Sequence, residues 1–330
     1  MSATVSNIVV LRPGALGDVL VVRELLCWLK RMFPGVPVTL AAAGRRGELL
    51  RQPGLADACM DWDNAAFSWL FSSDSVQTPP EALVSLFQNN SLVLAYLDLC
   101  GKQAVAFQQR LSALASPLFL YLSPSRPDSG EEMFIGSWLV HKARRYCEAQ
   151  QLRMTDRRVK GRPQDVFITV PDNKPDTGML VLHPGSGSAR KNWPLDRFKE
   201  VGERFLREDS SLIRKICILS GDADGCLGFE LASALPVAEH LHQPELPEVA
   251  YCLGNASLYL GNDSGISHLA ASVQTTDGYQ PRVTVLFGPS DSSIWGQPRA
   301  LVLQCGQGMD ILSSADVYEQ MKRHWYAGQV

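Results

Sequence analysis

Ile8-Val9-Val10-Leu11-Arg12-Pro13-Gly14-Ala15-Leu16-Gly17-Asp18 is the stretch on which the fold turns. Its first four residues are an unbroken apolar run, the pattern of a strand buried on both faces of a parallel sheet. Gly14 and Gly17 make the next loop tight and expose its backbone. A helical pattern runs from Val19 to about Met32 and stops at Phe33-Pro34-Gly35, and Val36 to Ala42 reads as a second strand. Strand, loop, helix and strand in that order open a doubly wound sheet, which takes ligands at the carboxyl ends of its strands. G-x-G-x-x-G is absent and no acidic residue ends the second strand, so no dinucleotide site is expected. Asp18 falls in the first turn of the helix. It is either a carboxylate stabilised by the helix dipole or a general base facing an interdomain cleft.

The C-terminal half repeats the alternation. Met179 to Leu182 reads as a strand and leads into His183-Pro184-Gly185-Ser186-Gly187-Ser188-Ala189-Arg190-Lys191-Asn192-Trp193-Pro194, with a helix from Leu195 to about Arg207. Gly185 and Gly187 let amides approach a ligand, Ser186 and Ser188 offer hydroxyls, and Arg190 and Lys191 offer charge, a set suited to a diphosphate. The bland alternative is a surface loop with incidental charge. Ile213 to Leu219, Leu258 to Leu260 and Val283 to Phe287 read as further strands, with helices at Phe229 to Ala234, Glu245 to Leu253 and Ser314 to Arg323. After the Leu258 strand comes Gly261-Asn262-Asp263-Ser264-Gly265-Ile266-Ser267-His268-Leu269-Ala270-Ala271. Asn262, Asp263 and Ser264 are good N-caps, so side-chain oxygens and free amides converge at a helix start, where the dipole favours an anion.

The segments between are plainer. Leu92 to Leu97 reads as a strand, Glu81 to Gln88 and Glu131 to about Gln151 as helices, and Pro117 to Gly130 as an exposed loop. Lys160 to Thr177 has the composition of a boundary, interrupted by Val166 to Val170. Basic residues cluster from His141 to Arg162 (Lys142, Arg144, Arg145, Arg153, Arg157, Arg158, Lys160 and Arg162). They form either a solvated face or a surface for an anionic acceptor or lipid head groups, and Arg45, Arg46 and Arg51 are a second candidate.

A length of 330 residues suggests two domains. Lys and Arg number 31 against 34 Asp and Glu, a net charge of −3 that argues against a dedicated nucleic-acid binder. No apolar run reaches the roughly 18–20 residues that span a bilayer, and no signal peptide is expected at the N-terminus. The eight cysteines include no C-x-x-C pair, which fits a reducing cytosol rather than a zinc site or a disulfide framework.

Taken together, Leu16-Gly17-Asp18, His183 to Gly187 with Lys191-Asn192-Trp193-Pro194, and Gly261 to Gly265 with His268-Leu269-Ala270-Ala271 and Leu286 to Asp291 resemble the motifs of the bacterial lipopolysaccharide heptosyltransferases, glycosyltransferase family 9. The resemblance implies the α/β GT-B architecture: two Rossmann-like doubly wound parallel-sheet domains facing across a cleft. These would be residues 1–165, binding the acceptor, and 166–330, binding the nucleotide sugar, with a last helix able to pack back on the first domain. It implies inverting transfer of heptose from ADP-heptose to a lipid A–inner-core acceptor, with no metal and no cofactor beyond the donor. Asp18 would match the general base and Lys191 the cation that meets the leaving diphosphate. Ser186 and Gly187 would contact phosphate, Asp263 the sugar, and Ser264, Gly265 and His268 the phosphate side of the same pocket. The expected setting is cytoplasmic, with peripheral contact to the inner membrane and no nucleic-acid partner. A related transferase for another nucleotide sugar or acceptor, or a non-catalytic nucleotide-sugar binder, is the alternative. This chain departs from the pattern after Asp18, at Val19 to Glu24, and in a longer loop from Ser272 to Arg282.

Overall fold

The computed structural model describes residues 3–72, 78–115, 118–124, 126–127, 133–155, 166–172, 178–306 and 308–327. The chain divides into two compact units, Met1–Val166 and Phe167–Val330.

In the first unit the order is β1 (Asn7–Leu11), α1 (Leu16–Leu20), α2 (Arg23–Met32), β2 (Val38–Ala42), β3 (Ala58–Asp61), α3 (Glu81–Leu86), β4 (Ser91–Tyr96), α4 (Gly101–Leu114), β5 (Leu118–Ser123) and α5 (Ile135–Ala149). The strands form one parallel sheet in the order β3-β2-β1-β4-β5. Every residue of β1 and β4 is buried, as their unbroken apolar runs require. Phe67, Trp69, Phe87, Phe107 and Leu111 pack on one face of this sheet with Val9, Leu11, Val93 and Ala95. The single helix expected from Val19 to Met32 is two helices. At the join the Val22 amide bonds the Val19 carbonyl, a tight i→i+3 step between paired β-branched residues. Part of the expected loop from Pro117 to Gly130 is the edge strand β5.

The second unit contains β6 (Ile168–Val170), β7 (Met179–His183), α6 (Leu195–Glu208), β8 (Lys215–Ser220), α7 (Gly225–Ala234), β9 (Glu239–His242), α8 (Leu246–Gly254), β10 (Leu258–Asn262), α9 (Gly265–Ala270), β11 (Val273–Thr275), β12 (Arg282–Phe287), α10 (Ser292–Trp295), β13 (Leu301–Gln304) and α11 (Ser314–Tyr326). Six parallel strands run in the order β13-β12-β10-β7-β8-β9. Leu180, Leu182, Leu258 and Leu260 of the central strands bury against Phe198, Val201 and Phe205 of α6 and against Tyr318 and Met321 of α11. The last helix packs on α6, β12 and β13 within its own unit. The long loop after α9 has structure of its own: β11 pairs in parallel with β6, so the start of the second unit is stitched to it by a two-stranded sheet.

Strand order reverses at β1/β4 in the first sheet and at β7/β10 in the second. Loops leaving the carboxyl ends of strands at such reversals diverge and leave a crevice, the place where open α/β sheets bind ligands. The motif loops after β1, β7 and β10 all start at these points.

Candidate functional site

In the second unit, register sets the geometry. Gly261 of β10 pairs with His183 of β7, so both motif loops leave the sheet side by side. Asn262, fully buried at the end of β10, accepts from the Trp193 amide at 3.1 Å through Oδ1 and donates from Nδ2 to the Pro184 carbonyl at 2.7 Å. One side chain thus ties both ends of the β7–α6 loop. Trp193 is itself buried, its ring N–H donating to the Leu312 carbonyl at 3.0 Å.

Lys191 and Asp263 meet across these loops, with Nζ 2.7 Å from Oδ2. The Asp263 side chain is 8 % exposed and that of Lys191 30 %. Ser186 Oγ lies 2.8 Å from the Ser188 carbonyl and 2.6 Å from Asn192 Oδ1, so its hydroxyl is committed within the loop. Gly187 is exposed, and a Cβ there would meet nothing within 4 Å, so protein packing does not demand a glycine.

Ser264 is the observed N-cap of α9, its Oγ accepting from the Ser267 amide at 3.3 Å. Gly265 begins the helix and is half-buried. The helix has only six residues, too few to align a large dipole, so a cation and the loop amides carry the anion argument better than the helix does. His268 is buried at its far end, where Gln297 Nε2 donates to its Nδ1 and the Trp295 ring stands edge-on.

Two charged groups that sequence reading passes over are brought to these sites by topology. Asp224, just ahead of α7, lies 3.0 Å from His183 Nε2 and accepts the Gly221 amide at 2.6 Å. Burial raises its pKa, but the bonds from His183 and Gly221 outweigh burial and hold it below the usual carboxylate value. A Cβ on Gly185 would sit 1.6 Å from Asp224 Oδ2, so glycine there makes room for the pair. In the first unit the missed group is a cation. Arg12, whose side chain is wholly buried, reaches Asp18 Oδ1 at 3.0 Å and donates from Nε to the Asp18 carbonyl at 3.1 Å. Burial lowers the Arg12 pKa, and the Asp18 charge opposes that shift. Asp18 Oδ2 accepts the Ala15 amide at 3.2 Å, and its side chain is 34 % exposed. Gly14 has φ +150°, and a Cβ there would come within 2.9 Å of Asp18 Oδ2. Arg46 donates to the Gly14 carbonyl at 3.0 Å and so braces the loop.

Of the basic cluster, His141, Arg144, Arg145 and Arg153 are exposed and Lys142 is half-buried, with Lys142 over the Trp138 ring and Arg144 over Trp28. Arg157, Arg158, Lys160 and Arg162 lie outside the described residues. Arg51 pairs with Glu48 at 2.7 Å. Among the described residues no helix is long and apolar enough to cross a membrane, and no group of three or more His, Cys, Asp or Glu could hold a metal ion.

Residues 146–319, more than half of the chain, match the family model for glycosyltransferase family 9 (heptosyltransferase). That segment contains Lys191, Asp263, Ser264 and His268, whereas Asp18 lies outside it. No curated protein matches by sequence. A glycosyltransferase family 9 structure from Veillonella parvula is similar at TM-score 0.73 and 15 % identity, with 99 % of each chain covered. The E. coli heptosyltransferase WaaC with ADP is similar at TM-score 0.67 and 17 % identity, over 96 % of this chain and 99 % of the other. E. coli ADP-heptose lipopolysaccharide heptosyltransferase II follows at 0.66 and 14 %, over 98 % and 100 %. At these identities the likeness shows the fold, that of the GT-B heptosyltransferases. The parallel sheets, their strand order and the family match agree: the chain is a glycosyltransferase and belongs to family 9, the heptosyltransferases.

Proposed function

We propose that the protein moves heptose from ADP-heptose to a lipid A–inner-core lipopolysaccharide acceptor, inverting the anomeric carbon and using no metal. The observation that carries this reading is the Lys191–Asp263 pair at the strand-order reversal, within the segment that matches the family. Breaking the anomeric bond leaves charge on ADP, and without a metal a protein cation has to meet it. In this reading Lys191 turns from Asp263 to the departing diphosphate, and Asp263 turns to a sugar hydroxyl. Backbone amides beside the exposed Gly187 approach the phosphates, with Ser264 and Gly265 on their other side. His268 supports this wall from behind. ADP in the WaaC structure and the ADP-heptose named for the second E. coli enzyme support an ADP-sugar donor.

Asp18 takes the proton of the attacking acceptor hydroxyl. Each carboxylate oxygen keeps a lone pair beyond the one engaged by Arg12 or Ala15, and the ion pair fixes where the base points. A lipid acceptor sets the reaction at the cytoplasmic face of the inner membrane. There His141, Arg144 and Arg145 of α5 give a peripheral, salt-sensitive contact to anionic head groups.

Calorimetry of ADP, UDP, GDP and NAD with the purified protein, without and with EDTA, tests the donor. Selective ADP binding that ignores EDTA is expected. Preference for UDP or GDP would transfer the reading to another nucleotide sugar, and binding of none would favour a non-catalytic role. Turnover of ADP-heptose with a lipid A–inner-core acceptor is the second arm.

A further inference from the structure

A line of buried polar groups crosses three strand ends beneath the loop that holds Lys191. Asp224 Oδ2 is 3.0 Å from His183 Nε2, His183 Nδ1 is 3.4 Å from Ser264 Oγ, and Ser264 Oγ is 3.3 Å from Ser267 Oγ. Ser267 Oγ in turn donates to the Asn262 carbonyl at 2.5 Å and lies 2.8 Å from the Tyr259 hydroxyl. Asp224 and His183 are both buried, while Ser264 is only half-buried, so the line ends at the surface of the proposed donor site.

The two ends of the imidazole are chemically distinct. A carboxylate only accepts, so Nε2 carries a proton toward Asp224, and Nδ1 is the end that can change. With Nδ1 bare, it accepts the Ser264 hydroxyl proton, and Ser264 presents only lone pairs to the loop. With Nδ1 protonated, it donates into Ser264 Oγ, and the Ser264 O–H is released to donate outward. A phosphate oxygen is repelled by the first arrangement and bonded by the second. Asp224 supplies the counter-charge that the second arrangement needs. We infer that His183, anchored by Asp224, is a positioning residue that turns the Ser264 hydroxyl onto the donor diphosphate, so that diphosphate binding draws a proton onto His183. This rests on the reading of the Ser264 side of the loops as the phosphate site.

The other groups near this line do not replace His183 in that role. Tyr259, from β10, is held protonated by burial, which raises its pKa. Lys191 and Asp263 neutralise each other beside Ser264. From β9, His242 reaches the start of α7, where a Cβ on Gly225 would meet its ring, and bonds Ser220 at 3.0 Å.

The test is ADP binding by calorimetry at pH 7.5 in two buffers of different ionisation heat, for the wild type and for the variants His183→Gln, Ser264→Ala, the double variant, Asp224→Asn and Lys191→Ala. Wild-type protein is expected to take up more protons per ADP than His183→Gln. Each single change at His183 or Ser264 is expected to weaken ADP about tenfold, the size of one hydrogen bond to a charged group. The double variant is expected to be no weaker than Ser264→Ala alone, because His183 acts through Ser264. Asp224→Asn, which keeps the shape of the pair, is expected to lose the proton uptake as well. Additive losses in the double variant, or the same uptake in wild type and His183→Gln, would overturn the inference while a weakened Lys191→Ala leaves the donor site standing. Failure of wild type to bind ADP, or full affinity in Lys191→Ala, would overturn the donor-site reading and this inference with it.

Discussion

Lys191 Nζ and Asp263 Oδ2 are 2.7 Å apart, so in the proposed reaction each is the partner the other exchanges when a donor arrives. In this structure the cation proposed for the diphosphate neutralises the carboxylate proposed for the sugar. The pair keeps a largely buried carboxylate compensated, since an unpaired charge there would be costly.

Lys191→Ala is expected to weaken ADP binding by roughly 1.5–3 kcal/mol, the range for hydrogen bonds to charged groups. Titration calorimetry reads this directly. Unchanged affinity would remove Lys191 from the donor site.

Asp18→Asn is expected to lower turnover by about 10²–10⁴-fold, the usual contribution of a general base, with ADP affinity intact. The check is a rate assay paired with ADP titration. Full turnover would return Asp18 to the role of a helix-start carboxylate held by Arg12.

Two glycines of one loop separate packing from ligand approach. Gly185→Ala drives a methyl into the Asp224 carboxylate and is expected to destabilise the fold by about 1–3 kcal/mol, as overpacking does. Gly187→Ala meets no protein atom and is expected to leave the melting temperature unchanged while weakening ADP. Denaturant melts and ADP titrations of both variants make the comparison.

The Asp224 pair gives a pH dependence of definite sign. Its folded pKa lies below the ordinary carboxylate value, so the folded state favours the charged form. That stability is present above the unfolded pKa and is lost as pH falls through the lower folded value. Wild type is therefore expected to exceed Asp224→Asn in stability at neutral pH, with the gap closing below about pH 4. Urea melts from neutral pH down to the acid range test this, and a gap independent of pH would contradict it.

All eight cysteines are free thiols, and only Cys100 and Cys226 are exposed. Burial pushes Cys59 and Cys147 up to about 12, so their thiols stay protonated and unreactive. Brief alkylation of native protein followed by peptide mass spectrometry is expected to mark Cys100 and Cys226 first. Early labelling of Cys27 or Cys147 would show that the α2–α5 packing opens readily.

What the sequence reveals of this molecule follows how local the signal is. The runs Ile8–Leu11, Leu180–Leu182 and Leu258–Leu260 are legible because a strand buried on both faces is apolar without interruption. Ala58–Asp61 and Leu301–Gln304 are edge strands, partly exposed, and their short apolar stretches are not set off by the motif loops that mark the central strands. Lys191 and Asp263 stand out because glycines and caps surround them. Asp224 does not, because its pairing with His183 arises from β8 lying beside β7, a fact of strand order that no local pattern encodes. Arg12 is hidden for a different reason. Arginine is seldom fully buried, and its place beneath Asp18 emerges only when the loop closes over it.

The single side chain of Asn262, bonded to Trp193 at one end and to Pro184 at the other, makes the segment between them a closed ring rather than a free loop. The conformational entropy of that ring is therefore lost when the chain folds, not when a ligand binds. Ordering a segment on binding subtracts from affinity, whereas a ring already set passes nearly all of its contact energy to the complex. Replacing Asn262 by alanine would convert this preorganised receptor into one that folds around its ligand, with a larger unfavourable binding entropy as the thermodynamic mark of the change.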